Sequence, residues 1–318
     1  MRAIRLQQGR ISLVETPPPI PAEGEALVAV RLAGICATDL ELIKGYYPFE
    51  GVLGHEFVGE VVAAAGRSDL IGARVVGEIN AVCGACAACR RGDRSHCEDR
   101  TVLGISGRDG AFAEYLTLPF ENLHRVPNEI SDQVAVFTEP VAAALEILEQ
   151  IPIGDGVRVL LVGAGRLGQV IARVLAGTGC DLTVVAKYPV QRDLLEAVGI
   201  RTADPLKTVG SGFDLVVEAT GSQAGFETAR RYVRPRGTIV LKSTYAGRIE
   251  VDFSAVVVDE ITLIGSRCGP FDKALAVLFS GAIDPRPLID SIHPLELGVD
   301  AIEEAGEPGK MKVLIENR

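Results

Sequence analysis

Four thiols crowd into one short stretch of this sequence, Cys83-Gly-Ala-Cys86-Ala-Ala-Cys89-Arg-Arg-Gly-Asp-Arg-Ser-His-Cys97, with two, two and seven residues between successive cysteines. Tetrahedral zinc needs four thiolates converging at about 2.3 Å, and short turns bring neighbouring thiols together at little conformational cost. The intervening residues are small or charged and offer almost no apolar core. Ligation would therefore supply the folding energy that burial cannot. The expectation is a structural zinc lobe over 83–97. Three close cysteines followed by a distant one also suit an iron–sulfur cluster. Four free or paired thiols are the plainest alternative. His96 could stand in for Cys97, but a complete thiolate set leaves it as a surface histidine.

A second set of ligand-type residues lies upstream, in Gly34-Ile35-Cys36-Ala37-Thr38-Asp39 and Gly54-His55-Glu56-Phe57-Val58-Gly59-Glu60. A thiolate and an imidazole suit zinc, and a third ligand must come from elsewhere. Glu139, in Phe137-Thr138-Glu139-Pro140, falls where one pattern of elements gives way to another, the place where a substrate cleft is expected. His55 by itself would read as a satisfied core histidine. Beside Cys36, Asp39 and Glu56 it reads as a ligand.

A third motif is Val162-Gly163-Ala164-Gly165-Arg166-Leu167-Gly168, which follows an apolar run and opens a helical one. Glycines in that context permit a tight turn and close approach of a pyrophosphate to a helix N-terminus. Without a ligand it would be an ordinary glycine-rich turn. The next apolar run ends Val184-Val185-Ala186-Lys187-Tyr188, with no carboxylate to hold ribose hydroxyls. A cation there suits a 2′-phosphate, so NADP is expected over NAD, the alternative being that Lys187 is a solvated surface lysine.

The elements that must position these residues fall into three groups. Residues 1–140 carry short β-type runs (26–32, 59–64, 74–79) separated by Gly and Pro, a β-rich pattern in which Pro17-Pro18-Pro19-Ile20-Pro21 is an extended loop. From 141 the pattern becomes helix to Gln150, then apolar runs at 157–162, 182–185, 214–218, 237–241 and 261–265 alternating with helical segments, one of them 167–177. That is the rhythm of a doubly wound parallel sheet. The tail predicts a helix at 271–280, a strand near 288–292, a helix at 295–305 and a strand at 312–316. It is too short to bury a core alone. The expected class is thus α/β, with a β-rich domain of 1–140 plus 267–318 and a nucleotide-binding domain of 141–266.

A net charge of −10 on 318 residues disfavours nucleic acid and anionic membranes as partners. The first residues mix arginine and glutamine with apolar side chains and do not read as a signal peptide. Arginines interrupt the most apolar segment, 157–175, which argues against a membrane span. Seven cysteines are then metal ligands or core residues rather than a disulfide framework, with Cys180 and Cys268 the core or cleft-lining pair. A cytoplasmic protein follows as the expectation.

Taken in order, Gly-Ile-Cys-x-Thr-Asp, Gly-His-Glu-x-x-Gly-Glu, the four-cysteine lobe, the Glu-Pro pair and the glycine fingerprint resemble the zinc-dependent medium-chain alcohol and polyol dehydrogenases. The resemblance covers essentially the whole chain and implies a GroES-like catalytic domain joined to a Rossmann domain. It implies that Cys36, His55 and a carboxylate hold a catalytic zinc, with Glu139 in the third-ligand place as in the polyol branch. It makes Glu56 a supporting carboxylate or an exchangeable ligand, and Asp39 the group that orients His55. Zinc would acidify the substrate hydroxyl before hydride leaves carbon, and Thr38 would pass the proton outward. Where several members carry a histidine at the end of that relay, this chain has Glu41. Thr220 and Ser243 would lie near the nicotinamide, and the assembly would be a dimer or tetramer. The implied activity is oxidation of a small alcohol or polyol. The two other classes to weigh are a zinc-free quinone or enone reductase on the same fold, and a non-enzymatic NADPH-sensing or interaction protein. Zinc content separates the first, and cofactor binding without turnover the second.

Overall fold

The computed structural model describes residues 1–205, 210–245 and 247–317. The chain divides into two compact units, one of Met1–Glu139 with Phe271–Arg318 and one of Pro140–Pro270.

The spine of the first unit is the strand Glu25–Gly34, where Ala26, Val28, Val30 and Leu32 turn inward at every second residue. Glu56–Ala64 pairs antiparallel along one side of it, Gly34 opposite Glu56. On the other side its first half pairs with Tyr115–Pro119 and its last residues with Lys312–Glu316, Gly34 opposite Leu314. Arg74–Gly77 and Leu123–Arg125 extend the seven-stranded sheet beyond Glu56–Ala64, and Ile289–Pro294 extends it beyond Lys312–Glu316. The tail read from sequence as unable to stand alone thus completes the N-terminal sheet. Asn80–Ala81, Thr101–Leu103 and Gly107–Arg108 form a small sheet flanking the cysteine lobe.

The second unit is a six-stranded sheet in the order Thr202–Ala203, Asp181–Val185, Arg158–Val162, Phe213–Glu218, Val233–Leu241, Thr262–Gly265, with every pairing parallel. Val159, Leu160, Leu161 and Val162 are all buried, as a strand covered on both faces requires. The order reverses direction between Arg158–Val162 and Phe213–Glu218, the switch point at which such sheets bind dinucleotides. The α/β class with a doubly wound parallel sheet is as the patterning predicts.

The structure moves several boundaries. The helix expected from 141 begins at Thr138 and takes Glu139 and Pro140 into its first turn, where proline lacks no needed N–H. Leu295–Ala305 is a 3₁₀ turn, Leu295–Leu297, followed by an α-helix, Gly298–Ala305. The two-residue edge strand Thr202–Ala203 is too short to leave an alternation signal. Among the described residues no helix is long and apolar enough to cross a membrane.

Candidate functional site

The four lobe cysteines converge. Their sulfurs all lie within 4.8 Å of one another, with Cys86–Cys89 and Cys83–Cys97 each at 3.5 Å. Thiolates held about 2.3 Å from one tetrahedral ion sit roughly 3.8 Å apart, so the set fits a single zinc. It is too wide for S–S bonds of about 2.05 Å and too tight to enclose a multi-iron cluster. Local turns build it: Cys86 caps the helix Ala87–Arg90 and its sulfur accepts the Cys89 N–H, while Cys83 and Cys97 accept N–H groups from Cys86 and Cys83. Those N–H groups favour thiolates. The backbone N–H groups of Cys89 and Glu98 pull the Cys86 thiol down to about 6, whereas burial and the neighbouring Cys86 and Cys97 sulfurs push Cys89 up to about 12. Four thiols cannot all ionise at this spacing without a cation. His96 is exposed and turns its Nδ1 to Asp93 at 2.6 Å, away from ligand duty.

In the second constellation the structure brings together Cys36, His55 and Glu56, each with a donor atom within 4.8 Å of the others. Cys36 follows Gly34 by two residues and caps the helix Ala37–Ile43, while His55-Glu56 enters the strand paired with Gly34. Strand register thus sets two distant segments side by side. Asp39, fully buried, ties them: one carboxylate oxygen accepts the Cys36 N–H at 2.8 Å and the other the Gly54 N–H at 3.2 Å. That second oxygen is also 3.3 Å from His55 Nδ1, a contact too poorly aligned to satisfy this buried nitrogen fully. Burial opposes a charged His55, but Asp39 and Cys36 outweigh it and raise its pKa well above the ordinary histidine value. A half-buried thiol with a buried imidazole and carboxylate around one point is the donor set of a three-ligand zinc site with an open position. Thr38 Oγ1 lies 3.7 Å from Cys36 Sγ. Glu41 is engaged by Lys44 at 2.8 Å on the outer face of the same helix.

Glu139 sits half-buried in the first turn of Thr138–Gln150, and its carboxylate is not among the donor atoms gathered with Cys36 and His55. Glu56 is. Sequence reasoning also passed over Lys312, whose Nζ forms a buried ion pair with Glu56 Oε2. The available signal was a lysine heading the otherwise apolar run Val313-Leu314-Ile315.

In the second unit the glycine turn is shaped for close approach. A Cβ on Gly168 would lie 2.2 Å from Gly163 O, and one on Gly163 2.8 Å from the Thr220 side chain, so both are held against backbone and neighbour. Gly165, by contrast, faces open space at the N-terminus of Arg166–Ala176, where Leu167 is half-buried and the buried helix face begins at Gly168. Such a bare, dipole-positive end accepts a pyrophosphate. At the end of Asp181–Val185, Lys187 is exposed with its ammonium 5.2 Å from the Tyr188 ring centroid. Arg192, missed in the sequence, donates to Ala186 O at 2.8 Å and stands 3.9 Å from Asp204. Thr220 is held by Glu218, whose Oε1 accepts the N–H groups of Thr220 and Gly221 at 2.6 and 3.2 Å. The second Glu218 oxygen accepts the Tyr245 hydroxyl at 2.7 Å, and burial together with that carboxylate raises the Tyr245 pKa. Ser243 follows the end of the neighbouring strand Val233–Leu241.

Residues 22–128 match the family described as alcohol dehydrogenase GroES-like domain, and residues 167–280 match zinc-binding dehydrogenase. The chain is 31% identical to an L-threonine 3-dehydrogenase of Deinococcus deserti, over 98% of each chain. It is 29% identical to a sorbitol dehydrogenase of Halalkalibacterium halodurans, over 88% of each. Among solved structures it resembles a Sinorhizobium meliloti protein assigned as a zinc-binding dehydrogenase and bound to NADP, with TM-score 0.91, 29% identity and coverage of 99% and 98%. It also resembles an Escherichia coli alcohol dehydrogenase complexed with NADH, with TM-score 0.92, 27% identity and 99% of each chain.

Proposed function

The chain belongs to the zinc-dependent medium-chain alcohol and polyol dehydrogenases, and we propose that within this family it works with two zinc ions and prefers NADP. Members of this class move a hydride between a nicotinamide and a small alcohol or polyol, or its carbonyl product. The observation that carries the metal reading is the convergence of Cys36, His55 and Glu56 at the end of one strand pair. It favours Glu56 over Glu139 as the third ligand. The lobe of Cys83, Cys86, Cys89 and Cys97 would hold the second ion, with no part in the chemistry.

When bound at Cys36, His55 and Glu56, zinc supplies Lewis acidity that makes a hydroxyl easier to deprotonate. The protein's own residues do the rest. Asp39 fixes the two ligand-bearing segments through the Cys36 and Gly54 N–H groups. Thr38, beside Cys36, is the hydroxyl placed to take the substrate proton toward Glu41 three residues along the helix face. In the nucleotide-binding unit, Gly163, Gly165, Arg166, Leu167 and Gly168 receive the pyrophosphate, and Thr220 and Ser243 approach the nicotinamide half. Lys187, exposed just beyond Asp181–Val185 in Ala186-Lys187-Tyr188, a stretch with no carboxylate of its own, favours a 2′-phosphate over a bare ribose, with Arg192 bonded to the Ala186 carbonyl behind it. Threonine and sorbitol, named by the relatives, both carry a secondary hydroxyl next to a carbon that bears a polar group. A substrate of that class is the reading.

Metal analysis joined to turnover tests this. Two zinc ions per chain are expected, falling to one in Cys36→Ser, with alcohol oxidation reduced on the order of 10³-fold because several kcal/mol of transition-state stabilisation is lost. A single zinc in the native protein, unchanged by Cys36→Ser, would remove the catalytic-zinc assignment and favour the zinc-free reductase.

A further inference from the structure

Glu56 and Lys312 stand 256 residues apart in sequence and form an ion pair in which the side chains are only 2% and 4% exposed. Glu56 opens the strand on one side of Glu25–Gly34, and Lys312 opens the strand on its other side. The pair therefore reaches across the central strand, and it does so at Gly34. A Cβ on Gly34 would lie 2.5 Å from Glu56 Oε2 and 3.5 Å from Lys312 Cδ, so any side chain there would close the passage. The ammonium also lies 5.4 Å from the Phe137 ring centroid, within cation–π range.

Stability alone is a poor account of such a pair. Withdrawing two charges from water is costly, and apolar residues of similar volume often serve a fold as well or better. The partner that matters is the metal position, since Glu56 belongs to the donor set of Cys36 and His55. A carboxylate beside a divalent cation can give one oxygen or both. With Oε2 engaged by Lys312, Oε1 is the oxygen outside that ion pair.

On the reading of Cys36, His55 and Glu56 as a zinc site, we infer that Lys312 is a positioning residue that confines Glu56 to one-oxygen ligation and so keeps a coordination position for the substrate. Its charge acts in the same direction. A thiolate and a carboxylate already balance a divalent ion and the buried Asp39 beside His55 adds a further negative charge, so the ammonium returns the assembly to neutral and spares a substrate oxygen that is gaining negative charge from facing a net negative site. Removing Lys312 should therefore make the site hold metal more tightly and use it less well.

The test compares native protein with Lys312→Met and Lys312→Arg, measuring zinc retention against a graded chelator and the visible spectrum of the cobalt-substituted forms. Each spectrum is taken as a difference against Cys36→Ser, which keeps the ion of the four-cysteine lobe. Lys312→Met is expected to hold the Cys36-dependent ion about tenfold more tightly, at the lower end of what supporting groups around a metal do. Its cobalt bands should shift as the second carboxylate oxygen takes the position kept for the substrate. Lys312→Arg, which keeps the charge, should retain the native spectrum. If Lys312→Met does not fold, Lys312→Gln keeps an N–H donor group without charge and should hold the ion about threefold more tightly. Looser or unchanged retention with a native cobalt spectrum in the uncharged variant would assign Lys312 a structural role only and overturn the inference. Native protein lacking a Cys36-dependent ion would overturn the metal reading along with it.

Discussion

Asp39 shows how much one side chain can settle. Its carboxylate takes the N–H of Cys36, the N–H of Gly54 and the flank of His55, so a single buried group ties together two ligand segments that strand pairing sets side by side. At the cofactor end the decisive residue is exposed instead. Lys187 projects at the end of Asp181–Val185, with Arg192 bonded to the Ala186 and Lys187 carbonyls behind it. Removing the Lys187 charge should raise the KM for NADPH roughly tenfold, the worth of one charge-assisted hydrogen bond, and leave NADH kinetics near native. Steady-state kinetics of Lys187→Ala with both cofactors measures this. Equal losses with both would remove Lys187 from phosphate recognition.

At the scale of elements, the cysteine lobe and the glycine turn are opposite kinds of construction. The lobe has one four-residue helix, one 3₁₀ turn and scarcely any apolar filling, so its shape depends on what its thiols hold. Cys97 is its buried anchor. Cys97→Ala should lose one zinc and the amide-exchange protection of residues 83–97, while the strands Arg158–Val162 and Phe213–Glu218 keep theirs, since a separate core holds them. Exchange mass spectrometry with and without chelator reads both regions at once. The glycine turn, in contrast, is stiff without any ligand, because Gly163 and Gly168 are packed against backbone and side chain on each side.

At the scale of the whole molecule, the chain's return after Pro270 is clasped by His124, whose ring nitrogens meet Glu78 at 3.0 Å and Asp272 at 2.7 Å. Burial disfavours a charged His124, but the two carboxylates outweigh it and raise its pKa above the usual histidine value. A pKa raised by folding gives stability that is complete below the unfolded value and fades as pH climbs through the folded one. Native protein should accordingly lose up to about 1 kcal/mol relative to His124→Gln as pH rises from 6 toward 9, with the exposed Asp272 arm contributing little. Denaturant unfolding at several pH values follows it, and parallel curves would dismiss the clasp. Legibility follows the same division of scales. The gathering of the four lobe cysteines, the glycine turn and the parallel-strand rhythm were readable because each is written in contiguous residues whose spacing is itself the constraint. Glu56 standing with Cys36 and His55 where Glu139 does not, and Lys312 reaching Glu56 across Gly34, were not readable. Those relations depend on strand register, which pairs residues hundreds of positions apart according to which faces they bury, and no local pattern records which partner a strand will find.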